Sequence, residues 1–166
     1  IGQGTNNFTV SQLNRYVAAV ANRGTVYKLT LLDKTTDVNG KVIKEYEPEV
    51  TNTIDDISDN TWNLLHQGMI AMVQDMSQFN GMEISMAGKT GTAQQSEVHP
   101  DHVLFVGFAP AENPEIAVAV RIANGYSSAY TAEIGRDIFK SYYKTSDSYK
   151  LVTGKAAQLG AVTAGD

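Results

Sequence analysis

The chain of 166 residues contains no cysteine, which excludes disulfides and thiolate metal sites within it. Basic charge is also scarce. Thirteen Lys and Arg stand against 18 Asp and Glu, a formal net charge of -5, whereas a nucleic-acid surface is normally basic. Nucleic acid is therefore excluded as the expected partner. No apolar run approaches the ~20 residues of a membrane-spanning helix, no secretory leader pattern is visible, and no segment repeats another. What remains is ordinary for a globular chain: 42% apolar and 19% charged residues. The length suits one domain with a real core, or a large piece of one.

The apolar periodicity predicts an α+β order of helix, hairpin, helix, three strands and helix, an antiparallel sheet flanked by helices. Thr9 and Gln12 have capping-box spacing, Leu13, Tyr16, Val17 and Val20 follow at helical intervals, and Gly24 suits the stop. Strands are expected at 27–32 and 42–46, joined through the tight-turn pair Asn39-Gly40, and residues 47–60 read as a loop. Trp62, Leu65, Met69, Met72, Val73 and Met76 form a helical stripe. Strand-like runs occupy 83–86, 102–109 and 116–123. The short turn Ala111-Glu112-Asn113-Pro114 makes the last two an antiparallel pair. The unbroken apolar run 116–120 points to a central strand buried on both faces. Thr131 is expected to cap a last helix in which Ile134, Ile138 and Tyr142 fall four apart. Residues 1–145 thus read as one unit and 146–166, poor in large apolar residues, as a weakly ordered tail.

The chemistry concentrates in Lys89-Thr90-Gly91-Thr92. On a strand, Thr90 and Thr92 point the same way, so their hydroxyls can together hold one carboxylate. Gly91 between them lets a ligand backbone approach the strand edge. Strict alternation puts Lys89 on the opposite face. A Lys-Thr-Gly triplet on a strand is the third signature of enzymes that acylate a serine with penicillin or a D-Ala-D-Ala peptide. The wider block Ala87-Gly88-Lys89-Thr90-Gly91-Thr92-Ala93-Gln94 resembles class B penicillin-binding proteins, the peptidoglycan transpeptidases. So do Ile1-Gly2-Gln3-Gly4 with Thr9, Gln12 and Ala21-Asn22-Arg23-Gly24, and Phe105-Val106-Gly107-Phe108-Ala109-Pro110. The resemblance covers residues 1–143.

It implies the penicillin-binding transpeptidase or serine β-lactamase-like fold, with a five-stranded sheet. It implies catalytic roles for Lys89, electrostatic and in hydrogen bonding, and for Thr92, whose backbone N–H is an oxyanion donor. Thr90, Gly91, Thr92 and Gln94 are the expected substrate-binding residues. The implied ligands are the D-Ala-D-Ala end of a stem peptide and β-lactams, with no cofactor. In the family, the nucleophile's Ser-x-x-Lys motif and a Ser-x-Asn motif precede the Ile-Gly-Gln-Gly segment. The sequence is therefore expected to be the C-terminal part of a transpeptidase domain, partnered by the rest of that domain and anchored on the outer face of a bacterial cell membrane through a preceding segment. The alternative is a non-catalytic module of the same fold that binds cell-wall peptide or a protein. Where the family often has His and then an aromatic pair, this chain has His102-Val103-Leu104-Phe105 and lacks the Trp.

Two motif matches are read as decoys. Ser141-Tyr142-Tyr143-Lys144 fits Ser-x-x-Lys but follows Lys89 in chain order. Ser58-Asp59-Asn60 fits Ser-x-Asn but stands where a helix needs its N-cap. Glu97, His99, Asp101 and His102 read as a solvated connector, His66 as a surface or boundary residue, and the methionines as core filler.

Overall fold

The fold is taken from a computed structural model that describes residues 7–95 and 97–145. Helix α1 (Val10–Ala21) begins as its capping box requires. The Thr9 hydroxyl accepts the Gln12 N–H at 3.2 Å, and the Gln12 side chain accepts the Thr9 N–H at 2.8 Å. Val17, Val20 and Ala21 are buried while Tyr16, which shares their spacing, is exposed. Gly24 ends the helix with φ +106°, its N–H on the Ala19 carbonyl at 2.8 Å.

The next segment differs from the single hairpin expected. Strand β1 (Thr25–Tyr27) pairs with β4 (Val50–Thr53), and β2 (Lys34–Thr36) pairs with β3 (Val42–Glu45). The expected strand at 27–32 therefore stops at Tyr27, and the expected loop 47–60 contains β4. The cause is a long-range tie. The Arg15 guanidinium on α1 donates to the Tyr27 carbonyl and to the Thr51 hydroxyl, and Thr51 donates to the Val26 carbonyl. The Asn39-Gly40 turn falls where expected, with Gly40 at φ +85° and the Asp37 carboxylate accepting the N–H groups of Asn39 and Lys41.

Helix α2 (Asp59–Asp75) starts at Ser58, whose hydroxyl accepts the Thr61 N–H at 3.2 Å. Its buried stripe is Trp62, His66, Met69 and Val73, with Leu65 exposed. His66 is thus a core residue rather than a surface one. Its Nε2–H donates to the Val20 carbonyl at 2.8 Å, and its ring lies 5.0 Å from that of Phe108. The Val20 carbonyl, in the last turn of α1, also accepts the Arg23 N–H at 3.1 Å, so the imidazole is its second donor and ties α2 to the end of α1.

After a 3-10 turn (Ser77–Phe79), strands β5 (Ala87–Ala93), β6 (His102–Ala109) and β7 (Ile116–Ile122) form an antiparallel sheet in the order β5-β6-β7. Residues 83–86, expected as strand, precede β5 instead. Ser85 there serves the β6–β7 turn, accepting the Ala111 N–H and donating to the Glu112 carboxylate. Among the described residues β6, not the apolar run of β7, is the central strand.

Helix α3 (Ser128–Tyr142) is capped by Ser127, not Thr131. Thr131 is fully buried, its hydroxyl donating to the Ser128 carbonyl at 2.7 Å. Thr131, Ala132, Gly135 and Phe139 face the sheet, while Tyr130, Ile134, Ile138 and Tyr142 are exposed. One core joins Val17, Val20, Trp62 and Met69 of α1 and α2 to Ala87 and Phe108. On the other sheet face, Phe79, Phe105, Val118, Ala132 and Phe139 form the second. The tail expected from Ser146 lies outside the described residues.

A Cβ on Gly135 would sit 2.4 Å from Phe105 Cδ1, whereas one on Gly68 of α2 meets nothing within 4 Å. Replacing a helical Gly by Ala contributes up to ~1 kcal/mol, and overpacking costs about 1–3 kcal/mol. Gly68→Ala should therefore raise, and Gly135→Ala lower, the denaturation midpoint of the protein. Tyr143 beyond α3 donates to the Ala109 carbonyl at 3.0 Å. Burial first, then the Glu115 carboxylate, pushes its phenol up to about 12 from 10.0. Because the folded value lies above the unfolded one, its stabilising contribution is full below pH 10 and lost between 10 and 12. Tyr143→Phe should remove that part of the alkaline fall, read from denaturation midpoints across that range.

Candidate active site

Lys89, Thr90, Gly91 and Thr92 all lie on β5, opposite Val106, Phe105, Leu104 and Val103 of β6 respectively. Alternation puts Thr90 and Thr92 on the face of Phe105, with Lys89 and Gly91 on the other. Thr90 and Gly91 are half-buried; Lys89 and Thr92 are exposed. No described strand pairs with the second edge of β5.

Three observations show which backbone groups meet that edge. The Ala87 carbonyl lies 2.8 Å from where a Cβ on Gly107 would stand, and the Val106 carbonyl 3.0 Å from one on Gly88, so both point between β5 and β6. The Thr90 carbonyl instead accepts the Lys89 ammonium at 3.0 Å. In an antiparallel ladder the N–H and C=O of one residue turn to the same side, and alternate residues turn to opposite sides. Thr90 and Thr92 therefore present their backbone groups to the open edge. The edge thus offers the Thr92 N–H, two threonine hydroxyls and a nearby ammonium, a set that suits a carboxylate and an oxyanion. Lys89 reaches this edge by folding over its neighbour's carbonyl, which alternation alone does not reveal.

Gln94 lies one residue past the end of β5, so the strand alternation that would align it with the threonines stops short of it. The decoys fall elsewhere. Ser58 is the helix cap described above. Ser141 is exposed at the end of α3, where Tyr143 meets the last residue of β6, and Thr92 faces its second. Six residues at about 3.3 Å each put ~20 Å between these ends of the strand. Among the described residues no three His, Asp or Glu side chains gather as a metal site. A cavity of about 240 Å³ between α2 and the approach to β5 is lined by Val73, Phe79, Met82, Met86, Ser85 and Glu112, and holds none of the five expected site residues. The Ser85 hydroxyl bond holds the Glu112 carboxyl below its ordinary range.

The sequence and the fold have counterparts in known proteins. The sequence profile of the penicillin binding protein transpeptidase domain matches residues 1–142, and the chain belongs to that family. It is 31% identical over 83% of its length to penicillin-binding protein 2B of Streptococcus pneumoniae. It is 32% identical over 87% to the peptidoglycan D,D-transpeptidase MrdA of Acinetobacter baumannii. It spans 23% and 24% of those relatives' lengths. Penicillin-binding protein A of M. tuberculosis, solved as an imipenem acyl-enzyme, superposes with a TM-score of 0.75 at 26% identity, over 86% of this chain and 32% of that one. Among the described residues no helix is long and apolar enough to cross a membrane.

The glycines of β5 separate packing from ligand approach. A Cβ on Gly88 would press on the Phe105 ring at 2.7 Å, whereas one on Gly91 would touch the Leu104 Cβ at an ordinary 3.7 Å. Gly91→Ala should leave the thermal midpoint within about 2 °C of wild type, and Gly88→Ala should lower it by at least 4 °C, the equivalent of ~1 kcal/mol or more.

Proposed function

We propose that the chain is the part of a peptidoglycan D,D-transpeptidase that grips the substrate, with the serine nucleophile carried by another segment of the same polypeptide. The observation that carries this reading is the β5 edge, where Thr90 and Thr92 combine hydroxyls on one face with outward backbone groups. In the reaction, the serine attacks the carbonyl of the penultimate D-Ala and expels the terminal one, and an amine of a second stem peptide then takes the acyl group. The Thr90 and Thr92 hydroxyls hold the terminal carboxylate. The Thr92 N–H receives the oxyanion, a donor worth ~3 kcal/mol in such sites. Lys89 favours the anionic substrate, Gly91 admits its backbone, and Gln94 lines the cleft. A β-lactam carries an equivalent carboxylate and enters the same groove, but its acyl-enzyme persists. The exposed stripe Tyr130, Ile134, Ile138 and Tyr142 on α3 supports a covering segment elsewhere in the polypeptide. The work of such an enzyme lies on the extracytoplasmic face of the membrane.

Fluorescent penicillin should label the complete protein and not residues 1–166 alone. Thr90→Val with Thr92→Val removes hydrogen bonds to a carboxylate of ~1.5–3 kcal/mol each, so acylation should slow at least about tenfold. Second-order acylation rates decide the matter. An unchanged rate in a folded double variant puts the carboxylate elsewhere, and a complete protein that takes no label points to a non-catalytic module.

A further inference from the structure

His102 opens β6 opposite Ala93, the last residue of the strand that carries Thr92. Its Nδ1 accepts the backbone N–H of Asn124 at 3.1 Å. A backbone N–H can only donate, so Nδ1 bears no proton and the ring's proton is on Nε2. That Nε2–H donates to the side-chain oxygen of Gln95, just past the end of β5. One imidazole therefore joins three segments: the outgoing end of β5, the start of β6 and the turn between β7 and α3. The turn is held beside it as well. The Gly125 N–H donates to the Asp101 carbonyl at 2.9 Å, and a Cβ on Gly125 would lie 2.4 Å from Val103 Cγ2. Asn124 and Tyr126 are both in the left-handed region, at φ +52° and +63°. Non-glycine residues hold such backbone only where their surroundings dictate it.

We propose that His102 is a positioning residue for acylation, holding the Thr92–Gln95 stretch against the β7–α3 turn so that the Thr92 N–H keeps its aim along the open edge. This rests on the transpeptidase reading and adds to it a residue that touches no substrate. The Asn124 contact is the anchor: without it, the Gln95 contact leaves the ring free to turn. With the Asn124 contact alone, the start of β6 stays against the turn, and the β5–β6 ladder holds the strand end in part. Misplacement of a reacting geometry by about 1 Å costs up to ~100-fold in rate.

The test uses the complete protein and two readouts. Amide hydrogen exchange over residues 92–95 and 123–125 reports the tie whether or not the protein is acylated. The acylation rate at saturating penicillin, per labelled molecule and separated from the dissociation constant of the complex formed before acylation, reports the aim. His102→Ala should speed exchange in both stretches and slow acylation on the order of ten- to a hundredfold, with that dissociation constant within about twofold. His102→Asn returns an acceptor near the Nδ1 position and should restore protection at Asn124 and part of the rate. His102→Gln, which keeps a donor near the Nε2 position only, should not. Adding Gln95→Ala to His102→Ala should slow the reaction no further. A merely structural role would reduce the fraction of molecules that label and leave the rate of the rest unchanged, and that result overturns the proposal. So does a His102→Asn variant no better than His102→Ala. Wild-type protein that takes no label sinks the transpeptidase reading and this one with it. Labelled wild type with an equally fast His102→Ala variant sinks this one alone.

Discussion

The position of the Phe105 ring is the constraint on which the rest of this structure depends. The ring is fully buried, 5.5 Å from that of Phe79, and occupies space left by three glycines. A Cβ on Gly88, Gly107 or Gly135 would stand 2.4–2.8 Å from its atoms. Two of these glycines belong to β5 and β6 and the third to α3, so one side chain sets how closely the helix lies on the sheet. Phe105 is also the register partner of Thr90. The residue proposed to hold the carboxylate is thereby located by the residue that packs, because interiors packed at crystal density do not yield continuously.

The parts of the fold legible in the sequence were those governed by neighbours in the chain. The Thr9–Gln12 box, the Ser58 cap, the Asn39-Gly40 turn and the antiparallel pairing of 102–109 with the run from 116 all follow from local backbone chemistry or short connections. What was not legible depends on partners far away. β4 exists because Arg15 reaches across from α1, and His66 is buried because Val20 offers a carbonyl from another helix. The α3 stripe misleads for a related reason. Its large residues face outward because only Ala132, Gly135 and their small neighbours let the helix approach Phe105. Of the site, the Lys89–Thr92 block was readable as a motif. The bend of Lys89 over the Thr90 carbonyl and the His102 tie were not, since both join groups whose approach only the folded sheet creates.

The two cores also divide the chain by how strongly each part is held. β6 contributes Phe105 to one core and Phe108 to the other, so it cannot loosen without disturbing both. Residues 28–49, by contrast, contribute no buried side chain at all. Leu29, Leu31, Leu32 and Ile43 are exposed there, and the β2–β3 ladder rests on its own pairing. Local opening is expected first where buried apolar contacts are fewest, which puts the most labile part of the molecule beyond the Arg15 tie and away from β5.

The tip of that arm has a practical meaning of its own. Gly40 stands at φ +85° with nothing within 4 Å of its missing side chain, at an exposed turn that borders neither core. Exposed loop tips of this kind accept inserted sequence. A short epitope or a dye-bearing residue placed between Asn39 and Gly40 would report where the protein resides in a living cell and leave the Lys89 strand untouched.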